Sequence, residues 1–402
     1  MTSTTIIGGG IGGFTVASEL RARGYTGNIF IIDPEGYPYD RPPLSKEILS
    51  GEKTDEQLLL ASHDWYDDNN VSIIRNSVVE IDTETSSLLL DDGTTRNFDK
   101  LVLATGGLPR QLPAPGFDDP DLLVLRTLAD SYKLRGLLHP GSHLVIIGAG
   151  LIGAEVASSA RNLGAEVTLV DPTPVALIPA VGEQLATQLH LLHAAHGVTY
   201  ICGLTSAIER DNGDFLVHID GHDTLRANAV LLAVGIVPEE TLAKSAGLEC
   251  DGGVLVNHAQ RTTKNNIWAI GDCARHRHRD GTLERRHEHW ESAIFEARTA
   301  AADICGDELP QHGCSWFWSD RYGVHVEGAG SLAETGTTVI RPDPSGDPQV
   351  AFLVRDDGTL AGCAAINAGM AVRAARRIID KAIVVDPAQL SDPTVNLKKL
   401  AR

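Results

Sequence analysis

Short unbroken apolar runs that end on glycine set the rhythm of this 402-residue chain. Residues 143–171 read HLVIIGAGLIGAEVASSARNLGAEVTLVD. An apolar run, Leu144 to Ile147, meets Gly148-x-Gly150-x-x-Gly153, a helical pattern follows, and a second apolar run, Val167 to Val170, closes on Asp171. Strand, glycine turn, helix, strand and acid is the order of a dinucleotide-binding βαβ unit. The same order stands at 4–33, where Gly8-x-Gly10-x-x-Gly13 follows an apolar strand and Asp33 closes the next. In each unit the first glycine allows a tight turn and the second lets a pyrophosphate approach the backbone. The third lets helix and strand pack closely, and the helix N-terminus offers free N–H groups to phosphates. One such motif is weak; two in one chain imply two dinucleotides.

The intervening pattern predicts further elements. A strand-rich insertion is expected over 71–75, 78–82 and 88–90, with a turn at Asp91-Asp92-Gly93. Buried strands are expected at 101–107, 230–234 and 266–270, a long alanine-rich helix from His289 onward, and a smaller α+β segment from 314 with strands near 323–327 and 350–354 and a helix over 369–382. The expected class is α/β, with two Rossmann-like dinucleotide-binding domains and a small α+β C-terminal domain. The expected division is 1–112 with 241–313 for FAD, 113–240 for NADH and 314–402 as an interface domain.

Candidate contacts follow from these placements. In the first unit Gly8, Gly10, Gly12 and Gly13 form the turn and Asp33 is placed for the adenosine ribose. Arg41 and Lys46 are cations in a proline-stiffened loop, suited to the FAD pyrophosphate and flavin ring, and Ser45 or Leu44 is expected to open a short helix there. Val79 is placed for the adenine edge, and the small residues Ala104, Thr105 and Gly106 let the backbone run close to the cofactor. Gly271-Asp272 ends an apolar strand where an acid suits the ribityl hydroxyls, and Trp290 lies at the start of a helix whose N–H groups suit a reduced flavin. In the second unit Gly148, Gly150, Ile152, Gly153 and Gly235 line the NADH turn, and Asp171 is placed for the ribose and against a 2′-phosphate. No Lys or Arg follows in Pro172–Val175, so NADH is expected over NADPH. Glu155 is read either as an acid in the first helical turn, favoured by the helix dipole, or as the partner of Lys46 where nicotinamide meets flavin.

Composition narrows the class. No apolar run reaches the roughly 18–20 residues of a membrane span, and the first strand starts almost at once, so neither a span nor a signal peptide is expected and the cytoplasm is the expected compartment. The six cysteines are scattered without metal-like spacing, so reduced thiols and no metal are expected. A net charge of −19 argues against nucleic-acid or anionic-membrane binding. Against that acidity, Arg275, Arg277, Arg279, Arg285 and Arg286, interleaved with histidines, form the one dense basic cluster, read either as a solvated hairpin or as a docking patch for an acidic redox partner. Dithiol reductases of such architecture carry redox cysteines near residues 37–50; here none precedes Cys202, so a dithiol relay is not expected.

Arg41-Pro42-Pro43-Leu44-Ser45-Lys46, Ala104-Thr105-Gly106-Gly107-x-Pro109-Arg110, Leu125-Arg126-Thr127-Leu128, Gly271-Asp272 and Trp316-Phe317-Trp318-Ser319-Asp320 resemble the FAD-dependent NADH:ferredoxin reductases of oxygenase systems, along nearly the whole chain. The resemblance implies a glutathione-reductase-like arrangement. It implies FAD contacts from Asp33, Lys46, Val79, Arg126, Asp272 and Trp290, NADH contacts from Glu155 and Asp171, and a Lys46–Glu155 pair at the reacting end of the cofactors. It also implies hydride transfer from NADH to flavin and single-electron delivery to a [2Fe–2S] ferredoxin that feeds a dioxygenase or cytochrome P450, with no proton-transfer catalyst needed. Rubredoxin reductase, NADH oxidase and an NADH-sensing interaction module are the alternatives, and a monomer or homodimer is expected. Two departures are Ile366-Asn367-Ala368-Gly369, where family members often carry Val-Asn-Arg-Pro, and Val175, where a basic residue often follows the NAD acid.

Overall fold

A computed structural model describes residues 2–402, and these gather into two compact units, each formed from three separate stretches of chain. The first comprises residues up to Arg41, Thr54–Leu108 and Ile236–His312. Its centre is a five-stranded sheet built on Ser3–Ile7, flanked by Asn28–Ile32 with Val71–Ile74 on one side and by Lys100–Leu103 with Ile267–Ala269 on the other, every pair parallel. Strands covered on both faces need continuous apolar sequence, and TTII, NIFII and KLVL supply it. Helices Ile11–Ala22 and Trp290–Cys305 pack along each other on one face, and their alanines permit the close approach. Val71–Ile74, expected in the insertion, is instead the edge strand of this sheet, while Val78–Asp82, Ser87–Leu90 and Thr95–Asn97 form the separate antiparallel sheet. The run at 71–74 is apolar but short, and its partner Asn28–Ile32 lies too far away in sequence for periodicity to reveal the pairing.

The second unit comprises Pro42–Lys53, Pro109–Gly235 and Gly313–Arg402. It holds a parallel sheet ordered Thr199–Cys202, Glu166–Asp171, His143–Ile147, Ala229–Leu232, with the helix Leu151–Asn162 following the glycine turn. It also holds a five-stranded antiparallel sheet, Trp316–Arg321 beside Val324–Gly330, then Leu360–Ile366, Pro348–Val354 and Thr337–Pro342, with helix Gly369–Asp380 packed on it. Val181, Leu185 and Leu189 from helical turns after the nucleotide fold bury against Val326, Ala351 and Ala364 of that sheet. Among the described residues no helix is long and apolar enough to cross a membrane.

Candidate nucleotide and electron-transfer sites

The two glycine turns repeat each other atom for atom. Gly8 and Gly148 have φ of +107° and +102°, and a Cβ on either would strike the carbonyl just past the end of a strand, that of Ala104 or Ala233. A Cβ on Gly13 or Gly153 would strike the carbonyl of Gly8 or Gly148, which is the close helix–strand approach the motif requires. The middle glycines differ: around Gly10 and Gly150 nothing lies within 4 Å of a would-be Cβ. Each of these glycines caps a helix of 12 residues with no side chain bonded to the first N–H groups. Open space beside uncapped N–H donors at a positive helix end suits a pyrophosphate, so both turns fit a dinucleotide.

Each turn is braced by its acid. Asp33 Oδ2 accepts from Gly9 N at 2.6 Å and Oδ1 from Glu35 N at 2.8 Å. Asp171 Oδ2 accepts from Ala149 N at 2.9 Å, and Oδ1 from Thr173 N at 2.9 Å and Thr173 Oγ1 at 2.6 Å. Thr173, which sequence reasoning passed over, thus fixes the Asp171 carboxylate; Thr two residues after Asp is a common turn pattern and gave no distinct signal.

The first unit gathers Gly8, Gly10, Gly12, Gly13, Asp33, Arg41, Val79, Ala104, Thr105, Gly106, Gly271, Asp272 and Trp290. Arg41 lies 3.6 Å from Glu35, and Trp290 Nε1 donates to Asp40 Oδ1 at 2.7 Å. Val79 stands 47% exposed, an apolar side chain turned outward from a strand. Gly271 N donates to Glu296 Oε2 at 2.6 Å. Burial pushes the Glu296 carboxyl up to about 8, with the charges of Asp272 and Glu284 adding to the shift and the Gly271 bond opposing it. Glu296 escaped the sequence reading because nothing local sets it apart from Glu291 and Asp303 in the same alanine-rich helix.

The second unit gathers Lys46, Arg126, Glu155, Asp171, Gly235 and the second glycine turn with Ile152, which is 45% exposed at the helix start. Glu155 is not in the first turn: its helix begins at Leu151, so one turn separates it from the free N–H groups and the dipole is not what holds it. It is only 6% exposed and serves as a hub. Ser45 Oγ donates to Oε2 at 2.5 Å, Ser319 Oγ to Oε1 at 2.7 Å, and Lys46 Nζ lies 3.5 Å from Oε1 and 3.8 Å from Asp320 Oδ2. Lys46 Nζ also stands 5.9 Å over the Trp318 ring. Ser45 therefore does not cap a helix; the short helix is Glu47–Ser50, its N-cap is Lys46, and the Ser45 hydroxyl is spent on Glu155. Arg321, 2% exposed, donates to Ser319 Oγ at 2.9 Å; burial pulls its guanidinium down from the ordinary value while Glu155 pulls it back up. Arg126 precedes a capping box in which Thr127 and Asp130 cap the N-terminus of the helix Leu128–Leu137, and its own N–H donates to Asp130 Oδ2 at 3.0 Å.

The basic segment folds as a hairpin in the first unit, with Arg277 bridged to Leu283. Much of its charge is compensated: Arg275 lies 3.8 Å from Asp251, Arg277 2.5 Å from Glu249 and Arg286 2.7 Å from Glu288. Arg279 and Arg285 are exposed.

With this geometry in place, the comparisons identify the class. A family model described as pyridine nucleotide-disulphide oxidoreductase matches residues 2–297, and one described as reductase C-terminal matches residues 316–401. The chain belongs to the pyridine nucleotide-disulphide oxidoreductase family and is an enzyme that uses FAD and NADH. Within that family it is 36% identical over 400 residues to the anthranilate 1,2-dioxygenase system ferredoxin–NAD(+) reductase component of Burkholderia cepacia, covering 98% of each chain. The ferredoxin reductase for the CYP199A2 system from Rhodopseudomonas palustris superposes with a TM-score of 0.94 at 33% identity over 100% of each chain. The covalent putidaredoxin reductase–putidaredoxin complex matches with a TM-score of 0.92 at 30% identity, over 99% of this chain and 98% of that one.

Proposed function

We propose that this enzyme takes electrons from NADH and passes them singly to a [2Fe–2S] ferredoxin that serves an oxygenase. The observation that carries the reading is the state of the thiols. All six cysteines are single, and the one deepest in the first unit, Cys273, is fully buried with its Sγ against the Ile270 and Leu103 carbonyl oxygens at 3.2 and 3.5 Å. Burial holds that thiol well above the usual range, so it is neither a nucleophile nor half of a dithiol. A family member without a dithiol must hand its electrons to something outside the chain.

A bound flavin supplies the exchange between a two-electron donor and a one-electron acceptor. The chain's own part is to bind and to orient. The turns at Gly10 and Gly150 hold phosphates, and Asp33 and Asp171 accept from ribose hydroxyls while bracing their loops. Asp171 also repels a 2′-phosphate, which makes NADH the donor. Arg279 and Arg285 offer uncompensated positive charge to an acidic carrier. The relatives whose names specify a ferredoxin, or a complex with putidaredoxin, support the choice of carrier.

The test is anaerobic stopped-flow absorbance of the yellow protein mixed with NADH and then with a [2Fe–2S] ferredoxin. Fast bleaching of flavin followed by fast bleaching of the ferredoxin is expected. Electrons that stay on flavin until air or rubredoxin is admitted would replace the ferredoxin reading with an oxidase or a rubredoxin reductase.

A further inference from the structure

His276 ends the strand Ala274–His276 and His278 follows it two residues on, past the bridged Arg277, a spacing that puts both side chains on one face where the backbone stays extended. Their rings confirm it, with centroids 4.7 Å apart. The hairpin returns Glu284 directly across from His276, where Glu284 N donates to the His276 carbonyl at 3.0 Å, and His278 N donates to the Thr282 carbonyl at 2.9 Å. Three potential ligand atoms, one from each side chain, therefore lie within 4.8 Å of one another. His276 Nδ1 is 3.2 Å and His278 Nε2 3.9 Å from Glu284 Oε2. The Nδ1 of His276 is buried and faces the Glu284 carboxylate. His287 Nε2 lies 3.7 Å from the other carboxylate oxygen, Oε1. A cleft of about 380 Å³ opens against the two histidines, and His258 is among its lining residues.

We propose that His276, His278 and Glu284 form a binding site for a borderline divalent metal ion of the zinc type, with water completing the coordination. Bonds of about 2.0–2.2 Å from zinc to imidazole nitrogen and carboxylate oxygen, set at tetrahedral angles, put ligand atoms about 3.3 Å apart. One pair already stands at 3.2 Å, and the 3.9 Å pair closes by turning His278, whose side chain is 49% exposed. Two imidazoles and one carboxylate favour zinc over the hard cations magnesium and calcium, which take oxygen ligands. His287 is placed to hold the non-ligating oxygen of Glu284, as second-sphere donors do at metal sites. The sequence reading expected no metal because it weighed cysteine spacing; this set arises from a histidine pair and an acid six residues beyond it, joined by a turn. The alternate positions, Arg275 and Arg277, are tied to Asp251 and Glu249 and do not occupy the histidine face.

The test uses the FAD-loaded protein, isothermal titration with zinc chloride, and cobalt(II) titration followed at wavelengths beyond flavin absorption. One equivalent of zinc is expected, with a cobalt d–d band that zinc abolishes. His278→Gln and Glu284→Gln, both in a solvent-facing hairpin, should each weaken binding by about tenfold or more. His222→Gln, at an exposed histidine of the second unit, should change nothing. Flavin content and melting temperature of each variant report whether it has folded. Absence of zinc binding by the wild-type protein, or binding that survives both hairpin substitutions, would overturn the assignment. Neither readout depends on reductase activity, so the result stands apart from the identity of the electron acceptor.

Discussion

Glu296 shows how one residue ties stability to pH. Its carboxylate accepts a 2.6 Å bond from Gly271 N, which favours the charged form, yet burial and the nearby charges of Asp272 and Glu284 win and push the group up to about 8. The folded protein therefore holds a proton that an unfolded chain, titrating near the ordinary glutamate value of 4.5, releases. The sign follows from linkage: this group's contribution is fully present below the unfolded value and is lost as pH rises through the folded one. Glu296→Gln keeps the acceptor oxygen for Gly271 and removes the titration. Melting temperatures of wild type and variant, measured from about pH 5 to about pH 9, should diverge with rising pH, the glutamine form becoming the more stable. Parallel profiles would mean that Glu296 ionises freely in the folded state.

At the scale of elements, legibility in the sequence depended on whether the reason for a residue was local. The glycine turns were readable because their spacing is local: Gly13 and Gly153 answer to the carbonyls of Gly8 and Gly148 in the same βαβ unit, and Gly10 and Gly150 to open space at a helix start, although the carbonyls that press on Gly8 and Gly148, those of Ala104 and Ala233, come from elsewhere in the chain. The strand at 71–74 was misplaced and Ser45 misassigned because their partners, Asn28–Ile32 and Glu155, are distant in sequence. Arg321 was not singled out, and Ser319 was named only within the Trp316–Asp320 motif and given no role, for the same reason: their role exists only once the strand Trp316–Arg321 lies against the nucleotide helix. Glu155 joins that helix to the strand and to the segment 42–53, so its removal should act on all three. In Glu155→Ala, Ser45, Ser319 and Lys46 lose their common acceptor and the buried Arg321 guanidinium loses its nearby negative charge. The expected cost is about 3 kcal/mol, in the range for breaking a buried charged network by deleting one partner. Denaturant unfolding of the purified variant measures it, and a loss below about 1 kcal/mol would show that the serines and Lys46 find equivalent partners.

Over the whole molecule, a formal charge of −19 repels an acidic carrier at long range, so productive encounter depends on where positive charge is left uncompensated. Sequence alone makes the five arginines of the hairpin equivalent. The structure separates them: Arg275, Arg277 and Arg286 face acids within 4 Å, whereas Arg279 and Arg285 stand exposed without such pairing. Reversing a paired arginine removes a local bridge as well as a charge, whereas reversing Arg279 and Arg285 changes the field that a partner meets. The double variant Arg279→Glu, Arg285→Glu should therefore lower the second-order rate of ferredoxin reduction by roughly tenfold at low salt, with the gap narrowing as ionic strength shortens the Debye length. Reduction of a small uncharged dye, which needs no steering, should be unaffected. Equal losses with dye and ferredoxin would place the damage in the flavin site, and an unchanged ferredoxin rate would move the docking face away from this hairpin. Repeating the ferredoxin series with zinc present separates fixed charge from bound charge, because an ion held by His276, His278 and Glu284 would restore positive potential to the same hairpin of the double variant.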